Sequence, residues 1–232
     1  NINKNTLLVT VMMANNETGV IQPVKEIAKI CKEKNVLFHT DAAQAVGKIE
    51  VDVKKMNIDM MSISAHKFYG PKGIGALYVR QFPRIRLIPL IDGGGQEVSL
   101  RSGTLPVPLC IGFGEAAKIC ASILQKEKKK TRILRDYFYE RLKKNIKNIY
   151  INGHISKRLP ANLNVSIPGI NSEDLIKSLK NTVISSGSAC TSSNIEPSYV
   201  LSGMGLTEEV VNSSIRIGIG RYTTKKDINN AV

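Results

Sequence analysis

The chain has 232 residues and a formal net charge of +14, from 33 Lys and Arg against 19 Asp and Glu. Its 42% hydrophobic and 22% charged residues are typical of a globular protein with a hydrophobic core. No uninterrupted apolar run reaches the ~18–20 residues that cross a bilayer, so we expect no membrane protein. The positive charge is dispersed and lacks an aromatic-rich face, so we do not expect nucleic-acid binding.

The cysteines and histidines form neither a disulfide framework nor a metal site. Four cysteines include no CxxC pair, and three histidines do not cluster. We therefore expect no metal and a reducing compartment. The densest charge run, at 126–130, lies in a helical pattern and is expected to be a solvated face or a docking surface for an acidic protein.

Strand-like and helical segments alternate in the first half of the chain. Apolar runs at 6–13, 36–39, 58–64 and 73–79 predict strands, and apolar spacing over 24–34 predicts a helix. This pattern predicts an α/β fold with a mostly parallel sheet covered on both faces. Polar residues follow several strand ends, the edge where such sheets bind ligands: Asn16, Asp41, Gln44, His66 and Lys67.

The second half predicts a linking helix and a smaller α+β domain. A helical pattern runs over 108–146, and short strands are predicted at 163–167, 183–185 and 215–219, with helices near 172–179 and 208–213. We therefore predict a partial large domain at 1–107, a linking helix at 108–146 and a small C-terminal domain at 147–232.

The residues after two of the predicted strands suggest imine chemistry. Lys67 follows a buried strand in a turn closed by Gly and Pro, and partial desolvation there favours a neutral, nucleophilic amine. Asp41, at the end of a neighbouring strand, is suited to hold the protonated ring nitrogen of pyridoxal phosphate. The alternatives are a surface turn lysine and an aspartate that caps a helix.

Seven motifs carry a resemblance to a known family. They are NNETGV at 15–20, HTDAAQ at 39–44, SAHK at 64–67, GGGQE at 93–97 with RSGT at 101–104, SSGSACTS at 185–192, EPSYVL at 196–201 and SIR at 214–216. In order and spacing the chain resembles group I cysteine desulfurases of the IscS/NifS type over its whole length. The resemblance implies a fold-type I pyridoxal-phosphate enzyme that converts L-cysteine to L-alanine and keeps the sulfur as a cysteine persulfide.

The resemblance also implies roles for individual residues. Lys67 would form the imine with the cofactor and move the substrate's α proton, and Asp41 would pair with the ring nitrogen. The remaining roles would be the phenolate contact of Gln44, the phosphate contacts of Ser64 and His66, the cofactor and substrate contact of Asn16, and the substrate carboxylate contact of Arg216.

Two further residues bear on assembly and on sulfur transfer. Thr104 matches a threonine that reaches the phosphate in the partner subunit, which implies a homodimer with shared sites. Cys190 matches the persulfide cysteine, and its small polar neighbours predict an exposed loop. The other cysteines are expected to be structural: Cys31, Cys110 and Cys120.

The family's usual partners are also implied. They are a scaffold protein of the IscU type for iron–sulfur cluster assembly, frataxin-like and small accessory proteins, and in some members tRNA thiolation. The compartment would be mitochondrial in a eukaryote and otherwise the bacterial cytoplasm.

The sequence resembles the C-terminal two-thirds of a desulfurase. The family's N-terminal phosphate loop and ring-stacking histidine have no counterpart here, so we expect the 232-residue chain alone to bind pyridoxal phosphate weakly or not at all. Two alternatives stay open: another fold-type I enzyme such as an aminotransferase, which has no use for Cys190, and a non-catalytic truncated module.

Overall fold

Three parallel strands form the centre of the first structural unit. The computed structural model describes residues 1–187 and 197–232, and this unit comprises Asn1–Met13 and Gln22–Leu124. Its sheet has the order β1-β2-β3-β4, with bounds Leu8–Thr10, Leu37–Asp41, Met60–Ser64 and Gly75–Val79. The first three strands pair in parallel, and β4 runs antiparallel to β3. The predicted α/β class with a mostly parallel sheet is confirmed.

Helix α1 (Val24–Glu33) connects β1 to β2 and follows the predicted apolar spacing. Pro23 precedes its first turn, where a missing N–H costs nothing. Val24, Ala28 and Cys31 are buried on one face. Asn35 adopts a left-handed conformation with φ 54° just beyond the helix, a position that asparagine tolerates. Burial raises the pKa of the Cys31 thiol, and the Asp59 charge adds to this shift.

The expectation of a sheet covered on both faces stays a prediction, and the described residues cover the two faces of β2 to different extents. In β2, Phe38 and Thr40 are fully buried, whereas the alternate positions Leu37 and His39 are half-buried and Asp41 is exposed. Side chains alternate across a strand, so this pattern buries only one face of β2 completely. An apolar sequence therefore does not fix how much of each face is covered.

Helix α2 (Val107–Asn145) is a single helix of 39 residues where a long or once-broken helix is predicted. By length and composition alone it is apolar enough to cross a membrane. One such helix is weak evidence for a membrane span, and 11% of its apolar window is buried within the described residues. The expectation drawn from the composition therefore stays a prediction. Phe113 and Cys120 on this helix pack with Phe68 in a small buried cluster of the first unit.

The second unit comprises Ala14–Ile21 and Gln125–Val232. Its antiparallel sheet has the order β5-β6-β7, with bounds Tyr150–Ile151, Asn162–Ser166 and Ser214–Gly218. Among residues 125–187 and 197–232, four short helices accompany it: α3 (Ser172–Ser178), α4 (Tyr199–Gly203), α5 (Glu208–Asn212) and α6 (Lys225–Ala231). The core includes Leu163, Val165 and Ile217. The predicted domain boundaries stay predictions, and these units divide the chain differently by placing residues 14–21 in the second unit.

Three local differences separate the sequence patterns from the structure. The strand predicted at 183–185 is wrong: there is only an isolated bridge between Ser185 and Arg216. The two-residue β5 is too short for a period-2 pattern to show. Helix α6 has little apolar periodicity, but its capping box between Thr224 and Asp227 marks its start.

The lysine run at 126–130 is partly tied into the second unit. Lys130 Nζ donates to the carbonyl oxygen of Arg221 at 2.7 Å. Arg221 Nε also lies 2.9 Å from Glu127 Oε2, and both of these side chains are largely buried. Lys126 and Lys129 are exposed. Part of this charge run therefore contacts the segment at Arg221, although Lys130 is exposed like Lys126 and Lys129.

We predict that Val165→Ala lowers the free energy of unfolding by about 2 kcal/mol, because two buried methyl groups are lost and a cavity remains. Val165 is completely buried in the second-unit core. Val183, which is 99% exposed, provides a matched control, since Val183→Ala removes the same atoms from water. Urea denaturation measures both variants, and equal midpoints would contradict this packing.

We predict that Gly75→Ala lowers the free energy of unfolding by about 1–3 kcal/mol through overpacking. A Cβ at Gly75 would lie 2.6 Å from the carbonyl oxygen of Ile63, so β3 and β4 would have to separate. Gly114, inside α2, is the control because its Cβ would meet no atom within 4 Å. Gly114→Ala should stabilise the helix by about 0.5–1 kcal/mol. Urea denaturation that found the two variants equally stable would contradict the close approach at Gly75.

Candidate functional site

The parallel pairing of β2 with β3 brings together the two strand ends that carry the predicted cofactor residues. Asp41 is in register with Ser62, and Ala42 N donates to Ser62 O at 2.9 Å. Parallel strands end at the same edge of a sheet, so Asp41 and the residues after Ser64 lie along one edge. This edge contains Asp41, Gln44, Ser64, His66 and Lys67.

Asp41 both caps a turn and keeps one carboxylate oxygen available. Its Oδ1 accepts from the backbone N–H of Ala43 at 2.8 Å, as the capping alternative predicts. Its Oδ2 has no hydrogen-bond partner within residues 1–187 and 197–232. Gln44 Oε1 accepts from Lys48 Nζ at 2.8 Å, which leaves the amide nitrogen as a donor. Asp41 is exposed, so a ligand can reach this carboxylate.

Lys67 lies in a tightly fixed turn directly after β3. A short 3₁₀ helix spans Ala65–Phe68. Its first and last residues, Ala65 and Phe68, are 0% and 1% exposed. Gly70 N donates back to Ala65 O at 3.0 Å and closes the turn. Lys67 itself is half-buried. The backbone is therefore held on both sides of the lysine, whereas the lysine itself is only partly covered.

A hydroxyl and an imidazole lie beside this lysine. Ser64 Oγ and His66 Nδ1 are 3.2 Å apart. A second imidazole, of His39, bridges three strands: its Nδ1 lies 2.7 Å from Thr10 Oγ1 and its Nε2 lies 2.7 Å from Ser62 Oγ. A contact across strands has no local signature in a sequence, so these hydrogen bonds of His39 could not be predicted.

The second unit brings Arg216 and Asn16 together. Arg216, in β7, donates from Nη1 to the backbone oxygen of Asn16 at 3.1 Å and from Nε to Ser185 Oγ at 3.1 Å. The Nη2 group has no partner within the described residues and remains available to a carboxylate. Arg216 and Asn16 are both half-buried. The guanidinium is thus oriented by two fixed acceptors while part of its fork stays free.

The Glu17 turn, residues 15–19, contains a functional candidate that sequence reasoning did not assign. Glu17 is completely buried, and its Oε2 accepts from Ser198 Oγ at 2.5 Å. Its Oε1 is buried and has no partner among the described residues. The motif NNETGV at 15–20 contains this carboxylate but no Lys or Arg. An acidic residue without a cation nearby in the sequence is a weak signal for such a role.

Arg158, which precedes β6 in the sequence, supports the same turn. Its Nη2 donates to the backbone oxygen of Thr18 at 2.5 Å, whereas Nε and Nη1 are buried without a partner among the described residues. Burial lowers the pKa of Arg158 to about 10, and the charge of Arg135 adds to this shift. The guanidinium therefore stays charged at neutral pH while it holds the turn.

Two sequence candidates remain, Thr104 and Cys190. Thr104 is exposed in the first unit, just before α2. Cys190 lies outside the described residues, between Gly187 and Pro197 in sequence. Within the described ranges, no group of three or more His, Cys, Asp or Glu side chains could hold a metal ion.

Comparison with known proteins gives consistent matches over the whole chain. Residues 1–230 match the family described as Aminotransferase class-V. A protein from Rickettsia peacockii, named cysteine desulfurase IscS, is 54% identical over 231 residues, which is the whole of this chain and 56% of that protein. The protein of the same name from Ehrlichia chaffeensis is 53% identical over 228 residues, 98% of this chain and 56% of that protein.

Solved structures agree with this assignment. A NifS-like protein from Rickettsia africae superposes with a TM-score of 0.88 at 35% identity, covering 98% of this chain and 60% of that chain. A structure titled SspA in complex with cysteine has a TM-score of 0.78 at 39% identity and covers 96% of this chain and 61% of the other. The predicted fold-type I architecture and the resemblance to IscS/NifS proteins are confirmed.

The chain spans about half the length of the curated relatives that it matches, and aligns with their C-terminal part. Both the family match and the structural neighbours extend over nearly every residue described above. The chain therefore belongs to the aminotransferase class-V family, whose members are pyridoxal-phosphate-dependent proteins.

Proposed function

We propose that the protein is a cysteine desulfurase that converts L-cysteine to L-alanine and passes the sulfur on as a persulfide of Cys190. The observation that carries this proposal is the half-buried Lys67 in its fixed turn, on the same sheet edge as the open carboxylate oxygen of Asp41. The identity of 54% to a protein named cysteine desulfurase IscS supports the choice of reaction.

The chemistry of the donor set fits pyridoxal phosphate. The first unit offers a primary amine for the aldehyde, a carboxylate oxygen for the ring nitrogen and an amide nitrogen for the phenolate oxygen, from Lys67, Asp41 and Gln44. The Ser64 hydroxyl and the His66 imidazole, 3.2 Å apart, suit a phosphate. When bound, the cofactor supplies an electron sink for negative charge that develops at the substrate's Cα.

The chain's own residues would then perform distinct tasks. Lys67 Nζ would take the proton from the substrate's Cα, since Lys67 lies in the turn that follows β3 at this edge of the sheet. Asp41 Oδ2 would accept the ring N–H and so favour the protonated form of that nitrogen. Arg216 would hold the substrate carboxylate with its free N–H groups, and the resemblance assigns Asn16 a contact to the cofactor and the substrate.

The sulfur transfer balances without an external oxidant. The Cys190 thiolate attacks the substrate sulfur, so an S–S bond forms and the substrate's C–S bond breaks. The substrate carbon keeps the electron pair of that bond and takes a proton. One thiol and one cysteine therefore give one persulfide and one alanine.

We further propose the assembly and setting of this activity. Thr104 is exposed, as a contact to the phosphate of a second copy in a homodimer requires. The sulfur acceptor would be an iron–sulfur scaffold protein of the IscU type, with frataxin-like and accessory proteins as further partners. The relatives reported above are bacterial, which supports the bacterial cytoplasm over the mitochondrial alternative.

We predict that Lys67→Ala abolishes covalent cofactor attachment. The test uses an extended protein, in which the N-terminal part of the Rickettsia peacockii relative precedes Asn1. After reduction with borohydride, mass spectrometry should find the cofactor on Lys67, and Lys67→Ala should lower alanine formation by about 10²–10⁴-fold. Lys72→Ala, which changes an exposed lysine five positions later, should leave both readouts unchanged. Attachment at another lysine would refute the assignment.

We predict that Cys190→Ser lowers sulfide release from L-cysteine by at least about 10²-fold, because a hydroxyl cannot form the S–S bond. The same variant should still attach the cofactor at Lys67. Cys110→Ser is the matched control, since Cys110 is a half-buried free thiol of the first unit. Unchanged turnover in Cys190→Ser would instead favour another fold-type I activity, such as an aminotransferase.

A further inference from the structure

Two residues that flank segment 188–196 lie against one carboxylate oxygen. Ser198 Oγ donates to Glu17 Oε2 at 2.5 Å, across 181 positions of the chain. On the other side, a Cβ added to Gly187 would lie 2.9 Å from the same oxygen and 3.0 Å from Ser198 Cβ. Gly187, Ser198 and Glu17 are therefore packed together with no room for an added methyl group.

The Glu17 turn is a fixed support for these contacts. Asn15 Oδ1 accepts from the backbone N–H groups of Glu17 and Thr18 at 2.9 and 2.8 Å. The backbone oxygen of Glu17 accepts from the amide nitrogens of Asn162 and Asn164 on β6 at 3.2 and 3.3 Å. The sheet of the second unit thus holds the turn that carries this carboxylate.

The buried carboxylate is not explained by stability alone. Glu17 is 0% exposed, and its second oxygen has no partner among the described residues. Burying a carboxylate with an unused acceptor costs free energy that an amide or apolar side chain would avoid. What the charge provides is a strong, short hydrogen bond to the Ser198 hydroxyl, which also caps α4 by accepting from Leu201 N at 3.2 Å.

The same turn also fixes the predicted substrate arginine. Arg216 Nη1 donates to the backbone oxygen of Asn16, the residue before Glu17. Ser185, two positions before Gly187, forms a β-bridge with Arg216. The guanidinium and both residues that flank 188–196 are therefore positioned by one turn.

We propose that Glu17 is a positioning residue: its buried carboxylate holds Gly187 and Ser198 together and thereby sets where the segment that contains Cys190 begins and ends relative to Arg216. The role of Cys190 as the persulfide cysteine rests on the proposed function. The contacts by which Glu17 holds Gly187 and Ser198 do not depend on that function. Glu17 acts on the reaction through these flanking residues and does not touch substrate or cofactor.

The first test measures thiol reactivity without turnover, in the 232-residue chain. Iodoacetamide alkylation is followed for each cysteine by peptide mass spectrometry. Glu17→Gln, Gly187→Ala and Ser198→Ala should each change the rate at Cys190 at least about threefold relative to Cys110, because each weakens or displaces the same contact. Glu17→Gln keeps the shape of the side chain, so it remains informative where a larger change prevents folding.

Matched controls lie one turn away in α4. Gly203→Ala adds a Cβ with no atom within 4 Å, and Ser202→Ala removes an exposed hydroxyl. Both should leave the rate at Cys190 within about twofold of the parent, as expected of surface changes. Glu17→Ala combined with Ser198→Ala should have nearly the effect of one change alone, since the two groups share one interaction.

Three results would overturn the proposal. The first is a rate at Cys190 that matches the controls in every variant. The second is additive effects in the double variant. The third is parallel acceleration at the buried Cys31 and Cys120, which would indicate general unfolding instead of lost positioning.

A second test uses turnover of the extended protein. Glu17→Gln should lower kcat for L-cysteine while KM stays within about twofold, because the bond from Arg216 to the Asn16 backbone does not use the Glu17 side chain. A rise in KM with unchanged kcat would contradict the positioning role. If Cys190→Ser kept full activity, the proposed function would fail, but the alkylation result would still test Glu17 by itself.

Discussion

The parallel register of β2 with β3 is the constraint on which the first unit's candidate site depends. It places Asp41 opposite Ser62, so that the carboxylate and the turn that carries Lys67 leave the sheet at the same edge. Neither β2 nor β3 could bring these two groups together alone, because the end of one strand lies beside the end of another only when the two strands pair in a sheet. A shift of one residue would turn Asp41 to the opposite face. Ala65 and Phe68 are buried at the two ends of the turn that carries Lys67, and their packing holds this turn in place.

A tight turn has the corresponding role in the second unit. Asn15 closes it with its side chain, and Gly19 adopts φ 75° where a Cβ would lie 2.5 Å from Asn162 Oδ1. This explains the glycine in the NNETG motif by lack of space and by backbone conformation together. The turn then offers a backbone acceptor to Arg216 and a carboxylate to Ser198. A motif that appears to be a loop signature is therefore the support of several distant groups.

The sequence predicted the elements that have a local cause and missed those that depend on distant contacts. The alternation of strands and helices, the long α2 and the residues at the ends of β2 and β3 follow from apolar periodicity and turn chemistry, and all but the exact bounds could be predicted. The strand expected at 183–185 is reduced to one bridge, because only Ser185 pairs with a residue of a neighbouring strand. Glu17 belongs to a motif that the sequence shows, but its role could not be predicted, because its partner Ser198 is 181 positions away. The same holds for His39, which bonds to residues of two other strands.

The excess of positive charge also has a structural use in the second unit. Arg135 donates to the backbone oxygen of Leu159, Arg158 to that of Thr18 and Arg216 to that of Asn16. A planar guanidinium suits this task because it can donate to several acceptors at fixed angles. The unused N–H groups of Arg158 are buried, whereas Arg216 is half-buried and keeps donors that a ligand can reach. Burial thus distinguishes Arg135 and Arg158, which support the interior, from Arg216, which is suited to hold a carboxylate. The net charge alone could not make this distinction.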